Sequence, residues 1–307
     1  MRMPPVEPKV KIFITGILGF VGQNLAWHLA KQGHDIIGLI HDFSPRSLQT
    51  LQWERPVTKV HGDVRDIRRI REIFLDYKPD WTVHLAAQAL VGQAEIDPYS
   101  TWDVNVNGTI TLLTAWQETG YGKFLYFSTD KVYGNGLNKK ETDPVVATGI
   151  YESSKAAADL IAQSYLPNIL ITRTCNIYGP SDRNKRIIPN TIHDCVMGRQ
   201  PWVFKNSGQR EYIYIADVCE IISKLLNNKA AGVWNVGSGL YLSNEQVVLE
   251  ILKHFPKIHP LYKKTDTVEL KDESLNTEKL CGTVDCLSFT TFPAGIKKTV
   301  DWWVANP

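Results

Sequence analysis

Val10-Lys11-Ile12-Phe13-Ile14-Thr15-Gly16-Ile17-Leu18-Gly19-Phe20-Val21-Gly22 begins as an apolar run, turns on glycines and continues into an amphipathic stretch. Gly16, Gly19 and Gly22 permit a tight turn and let backbone come close to a pyrophosphate, whose charge the N-terminus of the following helix favours. Glycines at this spacing are a weak signal alone. Between a strand and a helix they predict a dinucleotide-binding turn.

Outward from this point, apolar runs and amphipathic stretches alternate. Strands are expected over 10–15, 35–40, 56–61, 81–85, 123–128 and 169–173, and helices over 21–32, 67–77, 100–119 and 151–165. Strict alternation implies an α/β fold, a Rossmann-like doubly wound parallel sheet that binds ligands at the carboxyl ends of its strands. After Asn176 the pattern loosens into loops and shorter elements. A smaller C-terminal lobe for substrate is expected there, from about 176–208 and 239–307, with 9–175 and about 209–238 forming the cofactor domain.

A net charge of +2 gives no electrostatic reason for nucleic acid or an anionic membrane as partner. The arginines between Arg65 and Arg71 alternate with apolar residues at helical spacing and read as a solvated helix face. Cys175, Cys195, Cys219, Cys281 and Cys286 are odd in number and contain no CxxC, so neither a disulfide framework nor a metal site is expected. The start of the chain lacks the apolar segment of a signal peptide, and polar residues interrupt 12–30 too often for a membrane span. A cytoplasmic protein is the expectation.

Asp42 follows the second expected strand by two residues, where an acid binds both ribose hydroxyls and favours NAD over NADP. Ser44 and Arg46 leave the phosphorylated cofactor open. Asp63, at the end of the third strand, is a candidate for the adenine amino group. Chemistry is expected at the end of the fifth strand, Phe124-Leu125-Tyr126-Phe127-Ser128-Thr129-Asp130-Lys131, where an acid and a base stand side by side. Tyr151 and Lys155 lie one helical turn apart in Tyr151-Glu152-Ser153-Ser154-Lys155. A cation beside a phenol lowers its pKa, so Tyr151 reads as a base toward a hydroxyl.

The glycine turn, His84-Leu85-Ala86-Ala87-Gln88, Asn105-Val106-Asn107-Gly108-Thr109, Ser128-Thr129 and the Tyr151–Lys155 pair together resemble the extended short-chain dehydrogenase/reductase family, from about Lys9 to Gly239. The resemblance implies an enzyme holding NAD through a whole catalytic cycle on a nucleotide-diphosphate sugar. By that likeness Gly16, Gly19, Phe20, Val21, Gly22, Asp42, Arg46, Asp63, Val64, Leu85, Ala86 and Ala87 line the cofactor, with Tyr151 and Lys155. Thr129, Tyr151 and Lys155 oxidise the hydroxyl, and Asn105 supports the active-site helix. Gln88 and Ser128 face the sugar, while Asn176, Arg186 and Arg210 receive the diphosphate, with Lys271 or Lys279 as further candidates.

Within the family, Asp130-Lys131 is similar to the nucleotide-sugar 4,6-dehydratases, above all the CDP-glucose branch, with some GDP-mannose dehydratase character. That implies Asp130 as the acid toward O6 and Lys131, or a water it positions, as the base at C5. Lys131 is a departure, because a glutamate follows the aspartate in the best-known dTDP-glucose dehydratases. An ammonium must lose its own proton before it can act as a base. A 4-epimerase or 4-ketoreductase, or a non-catalytic NAD(P)-binding regulator, are the rival readings. Arg183 and Lys185 read as solvated loop charges, and Trp302 and Trp303 as packing residues. A homodimer is expected through 100–119 and 151–165.

Overall fold

The computed structural model describes residues 9–41, 57–205, 208–264, 272–284 and 288–307. Strand β1 (Lys11–Thr15) sends Ile12 and Ile14 into one apolar layer and Phe13 into the other. Burial on both faces marks the centre of a covered parallel sheet. The chain continues through α1 (Phe20–Lys31), β2 (Asp35–Ile40), β3 (Thr58–His61), α2 (Ile67–Tyr77), β4 (Trp81–His84) and α3 (Gly108–Thr119). It then forms β5 (Lys123–Thr129), α4 (Ile150–Gln163), β6 (Ile169–Thr174), α5 (Ile215–Asn227) and β7 (Gly232–Val236). These strands form a seven-stranded sheet in the order β7-β6-β5-β4-β1-β2-β3, with every pair parallel. The order reverses between β1 and β4, which opens a crevice at the carboxyl ends of the strands.

Most expected elements lie within two residues of their places. Strand β3 starts at Thr58, the first residue paired with β2. The helix expected over 100–119 is a continuous run of Pro98–Trp102, a π turn at Asp103–Asn107, and α3. On α2, Ile70, Ile73 and Phe74 are buried while Arg69 and Arg71 pair with Glu72 and Glu118, the solvated face that their spacing implied.

A second sheet is built from Gly136–Lys139, Asn176–Tyr178, Gln209–Tyr214, Tyr241–Ser243 and Asp272–Leu275. Here the structure differs from the expected boundaries. Gln209–Tyr214 pairs with three strands of this lobe, and the chain rejoins the large sheet only at α5 and β7. Alternation cannot tell which of two sheets a strand will join. Within the large domain, Arg173 of β6, fully buried, pairs with Asp159 of α4 at 2.7 Å and lies over the Tyr133 ring. That pair fixes α4 against β6. Among the described residues, no helix is long and apolar enough to cross a membrane.

Candidate active site

The first glycine turn shows why side chains are excluded from it. Gly16 has φ +69°, and a Cβ there would stand 2.7 Å from the Ala86 nitrogen and 2.8 Å from the Leu85 carbonyl carbon. A Cβ on Gly22 would run into the Gly16 carbonyl oxygen. Helix α1 begins at Phe20 behind Gly19, with no side-chain cap and no acid in its first turn. Its unpaired N–H groups therefore point outward from the switch point beside Leu85, Ala86 and Ala87, a cradle that fits a pyrophosphate. His84 braces it from below, with Nδ1 against Thr15 Oγ1 at 2.8 Å and Nε2 against Thr109 Oγ1 at 3.0 Å. Burial pulls the imidazole down to about 3, so it stays neutral.

Asp42 and Arg46 lie outside the described residues. Asp63 lies two residues past the end of β3, and its carboxylate receives the Arg65 backbone N–H at 2.8 Å and Nε at 2.9 Å, and faces His41 at 3.3 Å. The Arg65 hydrogen bonds hold it below the usual carboxylate range. Val64 is buried against Gly108, where a Cβ would meet it at 2.8 Å.

At the end of β5, Thr129 caps the short turn Asp130–Tyr133, and its hydroxyl donates to Asp130 Oδ1 at 3.0 Å. Asp130 is buried, and its Oδ2 has no partner. The Ser128 hydroxyl is likewise buried and unpartnered. Buried polar atoms usually find a partner in protein, water or ligand, so these two have hydrogen-bonding capacity to spare. Burial first, and Glu273 second, push the Asp130 carboxyl up to about 7, so it carries a proton near neutral pH.

Helix α4 presents Tyr151 and Lys155 toward that strand end. The Lys155 ammonium donates to the Phe127 carbonyl at 2.8 Å and lies 4.4 Å from the centre of the Tyr126 ring. Burial draws it down to about 7. Tyr151 is pushed up to about 12 by burial; Arg186, not Lys155, is the cation that opposes this most, and a hydrogen bond with Thr129 helps. The phenol is therefore raised where the sequence led us to expect it lowered, because burial outweighs the cations around it. The π turn supplies the remaining brace. Asn105 accepts from the Gln88 N–H at 2.8 Å and donates to the Gln88 carbonyl at 3.1 Å and to Ser154 Oγ at 2.9 Å, linking the segment after β4 to α4.

The expected substrate residues fare unevenly. The Gln88 amide is spent on Leu90, accepting its N–H at 2.6 Å and donating to its carbonyl at 3.0 Å. Asn176 donates to the Glu211 carbonyl at 3.1 Å. Arg186 opens the helix Ile187–Val196 and acts on both Tyr151 and Asp182. Arg210 and Lys131 converge on one carboxylate, Glu273, each 3.0 Å from its Oε2. The sequence reading missed Glu273, which lies in a stretch, Asp272-Glu273-Ser274-Leu275, with no motif to mark it. Lys279 packs on the Trp234 ring and donates to the Val233 carbonyl, and Lys271 lies outside the described residues. Trp303 is buried, as a packing residue should be. Arg183 is not a free solvated charge: it stacks over both terminal tryptophans and donates to the Asn306 carbonyl. Among the described residues, no cluster of His, Cys, Asp and Glu could hold a metal.

One family model matches residues 12–237, the stretch that carries the glycine cradle at the switch point and the threonine, tyrosine and lysine at the neighbouring strand end. The chain belongs to the NAD dependent epimerase/dehydratase family. Among relatives in it, dTDP-D-glucose 4,6-dehydratase of Bos taurus is 29% identical, covering 99% of this chain and 91% of its own. The low-salt glycan biosynthesis protein Agl12 of Haloferax volcanii is 33% identical, over 79% of this chain and 81% of its own. The crystal structure of dTDP-glucose 4,6-dehydratase from Streptomyces venezuelae, with NAD and TYD bound, superposes with a TM-score of 0.86 at 26% identity and covers 96% of this chain and 97% of that one. UDP-glucose 4-epimerase of Thermus thermophilus, at 24% identity and TM-score 0.85 over 97% and 100% of the chains, shares the fold.

Proposed function

We propose that this member of the family is an NAD-dependent nucleotide-diphosphate-hexose 4,6-dehydratase, turning an NDP-hexose into an NDP-4-keto-6-deoxyhexose. The observation that carries the reading is Asp130: a buried acid, protonated near neutral pH, with one oxygen left without a partner beside Thr129. A 4-epimerase needs no group to protonate a departing oxygen, so the same fold used for epimerisation leaves Asp130 without work.

Gly16, Gly19, Phe20, Val21, Gly22, Leu85, Ala86 and Ala87 hold the dinucleotide, with Asp42, Arg46, Asp63 and Val64 at its adenosine end. Bound there, NAD would supply the acceptor for the hydride that leaves C4 and the donor of that hydride to C6. Tyr151 takes the proton of the C4 hydroxyl while Thr129 hydrogen-bonds to the same group, and Lys155 keeps Tyr151 and the strand end in register. The 4-ketone acidifies C5–H. Once that proton is removed, the C5 electron pair closes the C5=C6 bond, the C6–O6 bond breaks, and Asp130 gives O6 the proton with which it leaves as water. Ser128 serves the sugar hydroxyls, and Asn176, Arg186 and Arg210 the diphosphate end.

Incubation with CDP-, dTDP-, UDP- and GDP-hexoses, followed by mass spectrometry, tests this. Loss of one water from one of these sugars is expected; no loss from any of them overturns it. The exposed apolar residues Tyr99, Trp102, Ile110 and Leu160, on the helical run through α3 and on α4, support a homodimer through these helices. The unpaired Cys175, Cys195, Cys219 and Cys281 suit a reducing cytoplasm.

A further inference from the structure

Ionisable groups from both lobes meet at the end of β5. The Lys131 ammonium lies 3.0 Å from Glu273 Oε2 and 3.4 Å from Oε1, and Arg210 Nη1 lies 3.0 Å from the same Oε2. The Glu273 side chain is 4% exposed and that of Lys131 16%, so the carboxylate sits behind the lysine. Register puts it there: Glu273 stands opposite Arg210 on one neighbouring strand and Gly136 on the other. Asp130, next to Lys131 in the chain, feels Glu273 more strongly than any other charge, with Lys131 next and Glu211 weaker.

Elimination from a 4-keto sugar requires a group to take the C5 proton. A paired ammonium has no lone pair to offer. A carboxylate in hydrogen-bond contact can hold the ammonium's proton, and removal from water lowers the cost of that neutral form relative to the ion pair. We propose that Glu273 works through Lys131 as a two-residue proton relay for C5, assembled from both lobes. The inference rests on the dehydratase reading above.

The proton inventory balances. One Lys131 N–H proton passes to Glu273 Oε2, leaving a neutral amine and a carboxylic acid. The amine takes the proton from C5, restoring the ammonium, and the electrons of the broken C5–H bond form C5=C6 as O6 leaves with the Asp130 proton. When C6 receives its hydride, Lys131 returns a proton to C5 and Glu273 returns its own to Lys131. Solvent reprotonates Asp130, matching the proton that Tyr151 took from the C4 hydroxyl and releases. Glu273 is a positioning residue here, and Arg210 anchors it from the far side.

The test follows two steps in stopped flow: reduced nicotinamide absorbance for C4 oxidation, and product mass for elimination. In Glu273→Gln, which keeps the shape, oxidation is expected within about twofold of native while elimination slows about a hundredfold, so reduced cofactor accumulates. Glu273→Asp keeps the charges paired and guards against loss of folding; elimination about tenfold slow with oxidation unchanged is expected. In a Lys131→Met background, at a pH low enough that burial alone keeps Asp130 protonated, Glu273→Gln should cost nothing further. Elimination within about threefold of native in Glu273→Gln overturns the relay, as does equal slowing of both steps in Glu273→Asp, or an undiminished effect of Glu273→Gln on the Lys131→Met background. A native protein that dehydrates none of the four sugars sinks the dehydratase reading itself and the relay with it; an active native protein with an indifferent Glu273→Gln sinks the relay alone.

Discussion

Asp130 keeps its proton because burial and the nearby Glu273 carboxylate both disfavour its charge. Above about pH 7 the acid is lost, so elimination should fall about tenfold per pH unit on that limb, measured as product formation against pH. Asp130→Asn removes the proton donor but keeps the shape: it should reduce NAD on adding the sugar and then stall, with reduced cofactor accumulating. Full dehydratase turnover in Asp130→Asn would show that Asp130 is not the acid. The same group sets a stability difference. Its folded value lies above its unfolded one, so the native state binds the extra proton, and stability falls as pH rises from the ordinary 3.8 through about 7. Asp130→Asn should therefore be more stable than native by on the order of 4 kcal/mol at about pH 8, and equal to it below about pH 4, in thermal unfolding. At this scale the residue types were legible in the sequence: Thr129, Asp130, Tyr151 and Lys155 do meet at one strand end. Their protonation was not, since it depends on burial and on Glu273, far away in the chain.

Two elements carry the geometry of the site. The β1–α1 turn leaves no room for a methyl group at Gly16, where the Ala86 backbone is the obstacle. Gly16→Ala should weaken NAD binding at least about tenfold in calorimetric titration while the fold survives; unchanged affinity would remove the turn from the cofactor site. The π turn at Asp103–Asn107 inserts one residue into a helical run, so that Asn105 reaches both Gln88 and Ser154. Asn105→Ala leaves the Gln88 N–H and carbonyl without that partner and should cost about 1–3 kcal/mol in denaturant unfolding, with a lower turnover. Glycine turns announce themselves through residue type. A π turn does not, because one extra residue barely disturbs a pattern with a three-to-four spacing.

The whole molecule adds the second lobe and the surfaces that face outward. Leu160 is 54% exposed on α4, on the opposite side of the helix from the buried Ala158 and Ala162. If the chain dimerises through α4 and α3, Leu160→Glu should shift light scattering from dimer mass to monomer mass; a native monomer at micromolar concentration would overturn the proposed dimer. The sequence by itself determined the large sheet, the glycine cradle and the residue types at the end of β5, because periodicity and glycine are local signals. Only the tertiary structure decided that Gln209–Tyr214 joins the lobe sheet, that Lys155 is turned onto the Phe127 carbonyl, and that Glu273 stands behind Lys131. Each depends on which distant strand becomes a neighbour, and strand pairing is set by packing between segments far apart in the chain.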